Sequence, residues 1–228
     1  MTRFRVPCLP LLITLMLVLA GVSTAKAAVP ASSGNIKKVL YIGDSMTGWL
    51  SERLNAYGAA NGFEVSTVMW DGSTIRKWGN STKLKSIIDK QNPDVVFVSL
   101  GLNELLEHNP ERRLGTALNN ILKAVGNRKL VWVGPPSWPG KGKGEKLNNW
   151  LSNKLGPNRY FNSSNLTLQR QSKTNPHPTR NAVITWTDNL VSWLRKNPDL
   201  KFQSLNAPAK SAMKRGKHFT YLRMRDKL

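Results

Sequence analysis

Five short apolar runs alternate with amphipathic helical patterns between residues 39 and 194 of this 228-residue chain. The apolar runs have the length and composition of buried parallel strands, and the patterns between them repeat apolar residues every three or four positions. This alternation predicts an α/β fold, a three-layer α/β/α sandwich with a five-stranded parallel sheet. The predicted strands are residues 39–42, 63–70, 94–100, 130–133 and 159–161.

The first predicted strand ends in the sequence Gly43-Asp44-Ser45, and a helical pattern begins directly after it. Ser45 therefore lies on a turn at the carboxyl end of a strand, where open α/β sheets bind ligands and helix amides stabilise negative charge. Two interpretations are open: Asp44 and Ser45 are favoured helix caps, and Ser45 is a nucleophile if a base reaches it. The helix that follows is predicted to have one apolar face, formed by Met46, Trp49, Leu50, Leu54 and Tyr57.

Three further positions follow other strands and are expected at the same edge of the sheet as Ser45. Gly72 follows the second strand, Asn103 the third and His177 the fifth. Because such loops converge in a parallel sheet, they supply the parts of acyl transfer. Ser45 would attack an acyl carbonyl, and His177 would take its proton and return it to the leaving alcohol. The backbone amides of Ser45 and Gly72 and the side-chain amide of Asn103 would form the oxyanion hole.

This ordered set of motifs resembles the SGNH hydrolases, also called the GDSL family of esterases and lipases. Gly43-Asp44-Ser45 matches the nucleophile motif, Gly72 the second block, Gly101-Leu102-Asn103-Glu104 the third and His177 the last, so the resemblance covers nearly all of residues 37–197. It implies a flavodoxin-like fold, an esterase or lipase activity without a cofactor, and a serine nucleophile at Ser45.

One position departs from the family pattern. The family usually places an aspartate three residues before the histidine, and this chain has Thr174 there. His177 then needs another partner to fix its tautomer, and a backbone carbonyl would give a Ser-His dyad. Glu104 and Asp71 lie at the correct edge of the predicted sheet and are the candidate carboxylates for this role. Without a partner, we expect a slow or degenerate enzyme.

Other kinds of site fit the sequence less well. His108 is a rival base because it follows Asn103, but it matches no block of the resemblance. The nucleophile elbow of α/β-hydrolases requires a glycine where this chain has Thr47. The three histidines are too far apart in sequence to form a metal site, and no phosphate-binding glycine loop is present.

The N-terminal 27 residues are typical of an export signal. They combine a basic start at Arg3 and Arg5, an apolar stretch over residues 9–20 and the small-residue sequence Ala25-Lys26-Ala27. We therefore predict a signal peptide at 1–27, a linker at 28–36, an SGNH hydrolase-like domain at 37–206 and a basic C-terminal extension at 207–228. The extension carries seven Lys or Arg residues against one acid and is expected to be loosely packed or disordered.

Charge and location together limit the partners. Cleavage of the signal would remove Arg3, Arg5 and Lys26 and no acid, which lowers the net charge from +21 to +18. Such a surface favours acidic partners, and export to the periplasm or the extracellular medium favours anionic envelope polymers over nucleic acid. A basic surface with no dedicated partner is the open alternative.

The sequence thus predicts an exported serine esterase that removes ester-linked acyl groups, with O-acetyl groups on a polysaccharide as the first substrate hypothesis. Two alternatives stay open: an O-acyltransferase with the same chemistry, and an inactive polysaccharide-binding protein. Four tryptophans are predicted to lie in the core and three others to line a sugar platform. The core set is Trp132, Trp150, Trp186 and Trp193, and the platform set is Trp70, Trp78 and Trp138.

Overall fold

The computed structural model describes Met1 and residues 36–175, 177–202 and 204–228. The predicted signal peptide and linker therefore lie outside the described residues, except for Met1 and Ile36. No helix in the described part of the chain has both the length and the apolar character needed to cross a membrane. All elements below belong to the unit Ala31–Leu228.

The described residues form six strands and six α-helices. The strands are β1 (Lys38–Gly43), β2 (Glu64–Trp70), β3 (Val95–Ser99), β4 (Lys129–Val133), β5 (Tyr160–Phe161) and β6 (Phe219–Leu222). The helices are α1 (Thr47–Asn61), α2 (Ile75–Gly79), α3 (Leu84–Gln91), α4 (Pro110–Val125), α5 (Glu145–Leu155) and α6 (Arg180–Arg195).

The strands form one fully parallel sheet in the order β5-β4-β3-β1-β2-β6. Alternate residues of β1 point to opposite faces: Val39 and Tyr41 pack in the core beside α1 and α6, whereas Leu40 and Ile42 pack in the core beside α2 to α5. Both faces of the sheet are therefore covered, as parallel sheets require. The predicted three-layer α/β/α sandwich is confirmed.

The sixth strand corrects the prediction of five. Residues 219–222 of the C-terminal extension pair in parallel with β2, with Thr67 opposite Phe219 and Trp70 opposite Leu222. Phe-Thr-Tyr-Leu has the β-branched and aromatic composition of a strand, but it is short and lies among basic residues, which suggested a disordered tail. The expectation of a loose or disordered extension is wrong for this segment.

The extension is also fastened to α1. Arg53, whose side chain is 2% exposed, pairs with Asp188 of α6 at 2.9 Å and donates hydrogen bonds to the carbonyls of Ala209 and Ala212. One buried guanidinium thus joins α1, α6 and the extension. Arg215 forms an ion pair with Glu52 of α1 at 3.0 Å.

A glycine permits the close approach of α2 to α4. A β-carbon built on Gly79 would lie 2.3 Å from the carbonyl oxygen of Ala117. That oxygen belongs to the helix backbone and cannot turn aside, so any larger residue at position 79 must separate the two helices.

Candidate active site

Ser45 follows β1 on a tight turn held by its neighbours. A β-carbon at Gly43 would lie 2.2 Å from the carbonyl oxygen of Ser99, so only glycine fits where β1 passes β3. The amide of Asp44 donates to that same oxygen at 3.1 Å, and the Asp44 carboxylate accepts from the amide of Met46 at 2.9 Å. The backbone and side chain of Asp44 therefore form the hydrogen bonds that hold this turn. Among the described residues, no amide of α1 donates a hydrogen bond to the Ser45 hydroxyl.

Asp44, the residue before Ser45 in the chain, has a buried carboxyl group. Burial raises its pKa to about 7, the charges of Glu104 and Asp71 act in the same direction, and the hydrogen bond from the Met46 amide opposes them. The low dielectric of the site disfavours the carboxylate form, which explains the direction.

His177 is the residue that the fold brings to Ser45. Its Nε2 lies 3.3 Å from the Ser45 Oγ, although 132 positions separate the two residues in the chain. The loop that carries it is held by the amide of Gln171, which donates to the carbonyl of His177 at 2.8 Å. Trp138 packs edge-to-face on the imidazole with ring centroids 5.6 Å apart. The predicted Ser-His pair is therefore present, at a distance typical of a loose, unliganded catalytic hydrogen bond.

A chain of hydrogen bonds determines the tautomer of His177. The carbonyl of Pro178 can only accept, so the Gln171 Nε2 donates to it at 3.2 Å, and the Gln171 Oε1 then accepts from the Asn175 Nδ2 at 2.8 Å. The Asn175 Oδ1 is thereby turned to the His177 Nδ1, 2.7 Å away. Because this oxygen can only accept, Nδ1 carries the proton and Nε2 presents its lone pair to Ser45. This is the tautomer that a general base needs.

Three residues are candidate partners of His177 from the sequence, and among the described residues none of them, Thr174, Glu104 or Asp71, is hydrogen-bonded to it. The Thr174 hydroxyl bonds to Ser172 at 3.1 Å. The Glu104 carboxylate accepts from the Ile75 amide at 2.8 Å at the start of α2, and burial raises its pKa. Within the described part of the chain, no carboxylate is hydrogen-bonded to His177. The neutral amide of Asn175 takes that place, which no family motif indicated.

The three predicted oxyanion donors lie in loops at the same edge of the sheet. Among the described residues, the amides of Ser45 and Gly72 donate no hydrogen bond. Gly72 has φ +59, the left-handed region that favours glycine. The Asn103 side chain donates to the carbonyl of Ser73 at 2.8 Å, which joins it to the Gly72 loop and leaves its second N–H for a ligand. Their role in binding an oxyanion stays a prediction.

His108 lies in a different place from Ser45. It lines a surface pocket with Asn103 and Glu104, whereas the pocket beside Ser45 is lined by His177. The geometry thus favours His177 as the base. Within residues 36–175, 177–202 and 204–228, no group of three His, Cys, Asp or Glu residues is arranged to hold a metal ion.

The tryptophan predictions are confirmed for the core and wrong for most of the platform. Trp70 and Trp78 are buried and pack edge-to-face at 5.7 Å, because α2 folds over the end of β2. Trp138 alone of the three lies at the site. Conversely Trp49, predicted on the buried face of α1, is 40% exposed and lines the pocket beside Ser45. The four core tryptophans are buried or partly buried: Trp132, Trp150, Trp186 and Trp193.

No model of a known protein family matches the sequence, and a search of curated protein sequences finds no match either. Solved structures do match. A lipolytic protein of the G-D-S-L family from Desulfitobacterium hafniense shares 14% identity over 69% of this chain and 99% of its own, with a TM-score of 0.52. An acetyl esterase shares 13% identity over 74% and 100%, with a TM-score of 0.56. A family 3 carbohydrate esterase from Clostridium thermocellum shares 17% identity over 68% and 94%, with a TM-score of 0.53.

These similarities identify the fold. The chain has the α/β fold of the SGNH or GDSL-type hydrolases, as the sequence motifs predicted. Identities this low show the fold alone.

Proposed function

We propose that the protein is a serine hydrolase that cleaves carboxylic esters, with Ser45 as nucleophile and His177 as general base. The observation that carries this proposal is the contact between the Ser45 Oγ and the His177 Nε2 at 3.3 Å, with the tautomer fixed by Asn175. A structural serine has no need of an acceptor nitrogen held in this orientation.

Each side chain of the site has a role in the proposed ester hydrolysis. The His177 Nε2 takes the proton from the Ser45 hydroxyl as Oγ attacks the acyl carbonyl, and the oxyanion forms near the free amides of Ser45 and Gly72 and the Asn103 side chain. His177 then protonates the leaving alcohol. A water molecule, activated by the same nitrogen, releases the acid from the acyl-enzyme and restores Ser45.

For the substrate we propose O-acetyl groups on an envelope or extracellular polysaccharide. The predicted signal peptide supports export, and the net charge of +21 supports an acidic polymer as partner. Proteins with the same fold include an acetyl esterase and a carbohydrate esterase.

One observation favours a second candidate, an inactive polysaccharide-binding protein. The partner of His177 is a neutral amide rather than a carboxylate, so the imidazolium formed during attack lacks a negative charge beside it. An acyltransferase would use the same groups with a sugar hydroxyl in place of water.

Hydrolysis of nitrophenyl acetate by the full chain, beside Ser45→Ala and His177→Ala, tests the proposal. We expect turnover by the wild type that falls at least about a thousandfold in each variant. Undiminished turnover in Ser45→Ala contradicts the nucleophile assignment. Acetyl transfer to added sugars without hydrolysis identifies the transferase, and no turnover with either acceptor identifies the binding protein.

A further inference from the structure

A pocket of about 560 Å³ opens beside Ser45 and His177. Its volume lies within the range of ligand sites and far exceeds what a two-carbon acetyl group needs. Gly72 and Asn103 are absent from its lining, so the pocket lies on the His177 side of the nucleophile rather than on the oxyanion side. Because His177 protonates the leaving alcohol, this side holds the alcohol part of the ester.

The C-terminal extension forms one wall of this pocket. Arg215, Phe219 and Tyr221 line it from the extension, together with Trp49 and Glu52 of α1. The pairing of β6 with β2 and the ion pair between Arg215 and Glu52 hold this wall in place. The extension is therefore a structured part of the pocket wall.

Two large aromatic side chains in the lining are partly exposed. Trp49 is 40% exposed and Tyr221 is 51% exposed. Aromatic rings kept accessible beside a reactive serine offer flat apolar faces with a polar edge, and the C–H face of a sugar ring packs well on such surfaces.

The charged residues in the lining favour a sugar over an acyl chain as the group that the pocket binds. Glu52 and Arg215 both line the pocket, and an alkyl chain laid over this pair would strip water from it without replacing the hydrogen bonds. Sugar hydroxyls replace them. The Arg215 Nε donates to Glu52, whereas no hydrogen bond from its terminal nitrogens is present among the described residues. Those nitrogens form a fork suited to a carboxylate.

We propose that this pocket is a subsite for the alcohol part of the substrate, that this part is a sugar residue of an anionic polysaccharide, and that Trp49, Tyr221 and Arg215 recognise it. The inference rests on the proposed ester chemistry at Ser45 and adds the class of polymer and the residues that select it. The seven basic residues of the extension, against one acid, supply a field of the matching sign around the subsite.

The test measures binding and selectivity separately in the full chain. Binding uses Ser45→Ala with polygalacturonate as the anionic probe and dextran as the neutral one. Selectivity is the ratio of kcat/KM on chemically acetylated polygalacturonate to kcat/KM on nitrophenyl acetate. The binding arm reports on the subsite even if the esterase proposal fails, because it needs no turnover.

Four variants, two of them controls, have distinct expected results. Adding Tyr221→Ala should weaken polygalacturonate binding about tenfold, which is the upper end for one aromatic contact, whereas Tyr221→Phe should weaken it less than twofold. Arg215→Gln should lower the preference for polygalacturonate over dextran about fivefold. Lys210→Gln, which removes the same charge from an exposed residue of the extension outside the pocket, should lower it less than twofold.

Either of two outcomes overturns the proposal. Equal binding of polygalacturonate to Ser45→Ala with and without Tyr221→Ala, or no binding at all, excludes the sugar subsite. A larger effect of Tyr221→Ala on nitrophenyl octanoate than on the acetylated polymer assigns the pocket to an acyl chain.

Discussion

Replacing Asn175 by aspartate should accelerate the proposed ester hydrolysis. The Asn175 Oδ1 accepts the Nδ1 proton of His177 at 2.7 Å, so Asn175→Asp places a carboxylate in nearly the same position, with loss of the exposed hydrogen bond from Nδ2 to the Gln171 Oε1. During attack His177 becomes an imidazolium. Two opposite charges about 4 Å apart attract by about 1 kcal/mol in water and about 4 kcal/mol at an effective dielectric constant of 20. Because Asn175 is exposed, the lower figure applies, and it corresponds to an increase of about fivefold in kcat.

The pH dependence gives a second readout of the same change. A carboxylate at position 175 also favours the charged imidazolium in the free enzyme, so 1 kcal/mol should move the acid limb of the pH–rate profile up by about 0.7 units. Asn175→Leu removes the acceptor and lets the unproductive tautomer form, and its kcat should fall about fivefold to tenfold. The assay is kcat/KM on nitrophenyl acetate between pH 5.5 and about 9, with kcat from full saturation curves.

Thr174→Asp is the matched control, because it places a carboxylate where the family usually has one. Since the Thr174 hydroxyl bonds to Ser172 and not to His177, this variant should gain less than Asn175→Asp. A faster Thr174→Asp together with an unchanged Asn175→Asp would refute the arrangement of this loop.

Three further predictions concern stability. Since burial raises the pKa of Asp44 from 3.8 to about 7, the folded protein keeps a proton that the unfolded chain releases, so stability should fall by up to about 4 kcal/mol as pH rises from 4 to 7. Asp44→Asn should flatten that part of the Tm–pH curve. Gly79→Ala should cost about 1–3 kcal/mol in urea unfolding, whereas Gly115→Ala, in the same helix pair with its nearest atom 3.8 Å away, should gain about 0.5–1 kcal/mol. Arg53→Met should cost about 3 kcal/mol and speed amide exchange in residues 207–217, because it removes a buried guanidinium that bonds the partly exposed Asp188 carboxylate and two carbonyls of the extension.

The order of strands and helices could be predicted because burial on both faces gives parallel strands a continuous apolar composition. β1 and β3 are examples: their residues are buried almost throughout. β6 could not be predicted in this way. It is an edge strand with exposed residues at Thr220 and Tyr221, so no apolar run identifies it, and its pairing with β2 is set by distant contacts.

The candidate site could likewise be predicted only in part from the sequence. The meeting of Ser45 and His177 could be predicted, because both follow strands whose carboxyl ends share one edge of the sheet. The hydrogen-bond partner of His177 could not be predicted, because it depends on the conformation of a loop of polar residues. Asn175 is two residues from His177, and nothing in the sequence distinguishes it from Thr174 as the partner.

Trp49 and Trp78 are two residues whose burial the spacing of apolar residues in the sequence did not predict. Trp49 lies one position from Leu50 on α1, about 100° away around the helix, which is enough to turn it from the core to the pocket. Trp78 is predicted from the sequence to line a sugar platform, but α2, which sequence periodicity did not indicate, places it in the core. That helix has only five residues, and its start is capped by Thr74 and Glu104.

Covalent labelling by a fluorophosphonate tests the central claim most directly, because the reagent reacts with a serine that a neighbouring base activates. Phosphonylation of Ser45 with loss of fluoride should add one label to the full chain, located by peptide mass spectrometry. Labelling should disappear in Ser45→Ala and slow at least about a hundredfold in His177→Ala. An unlabelled wild type, or a label that persists in Ser45→Ala, would contradict the assignment of Ser45 and His177 as a nucleophile and its base.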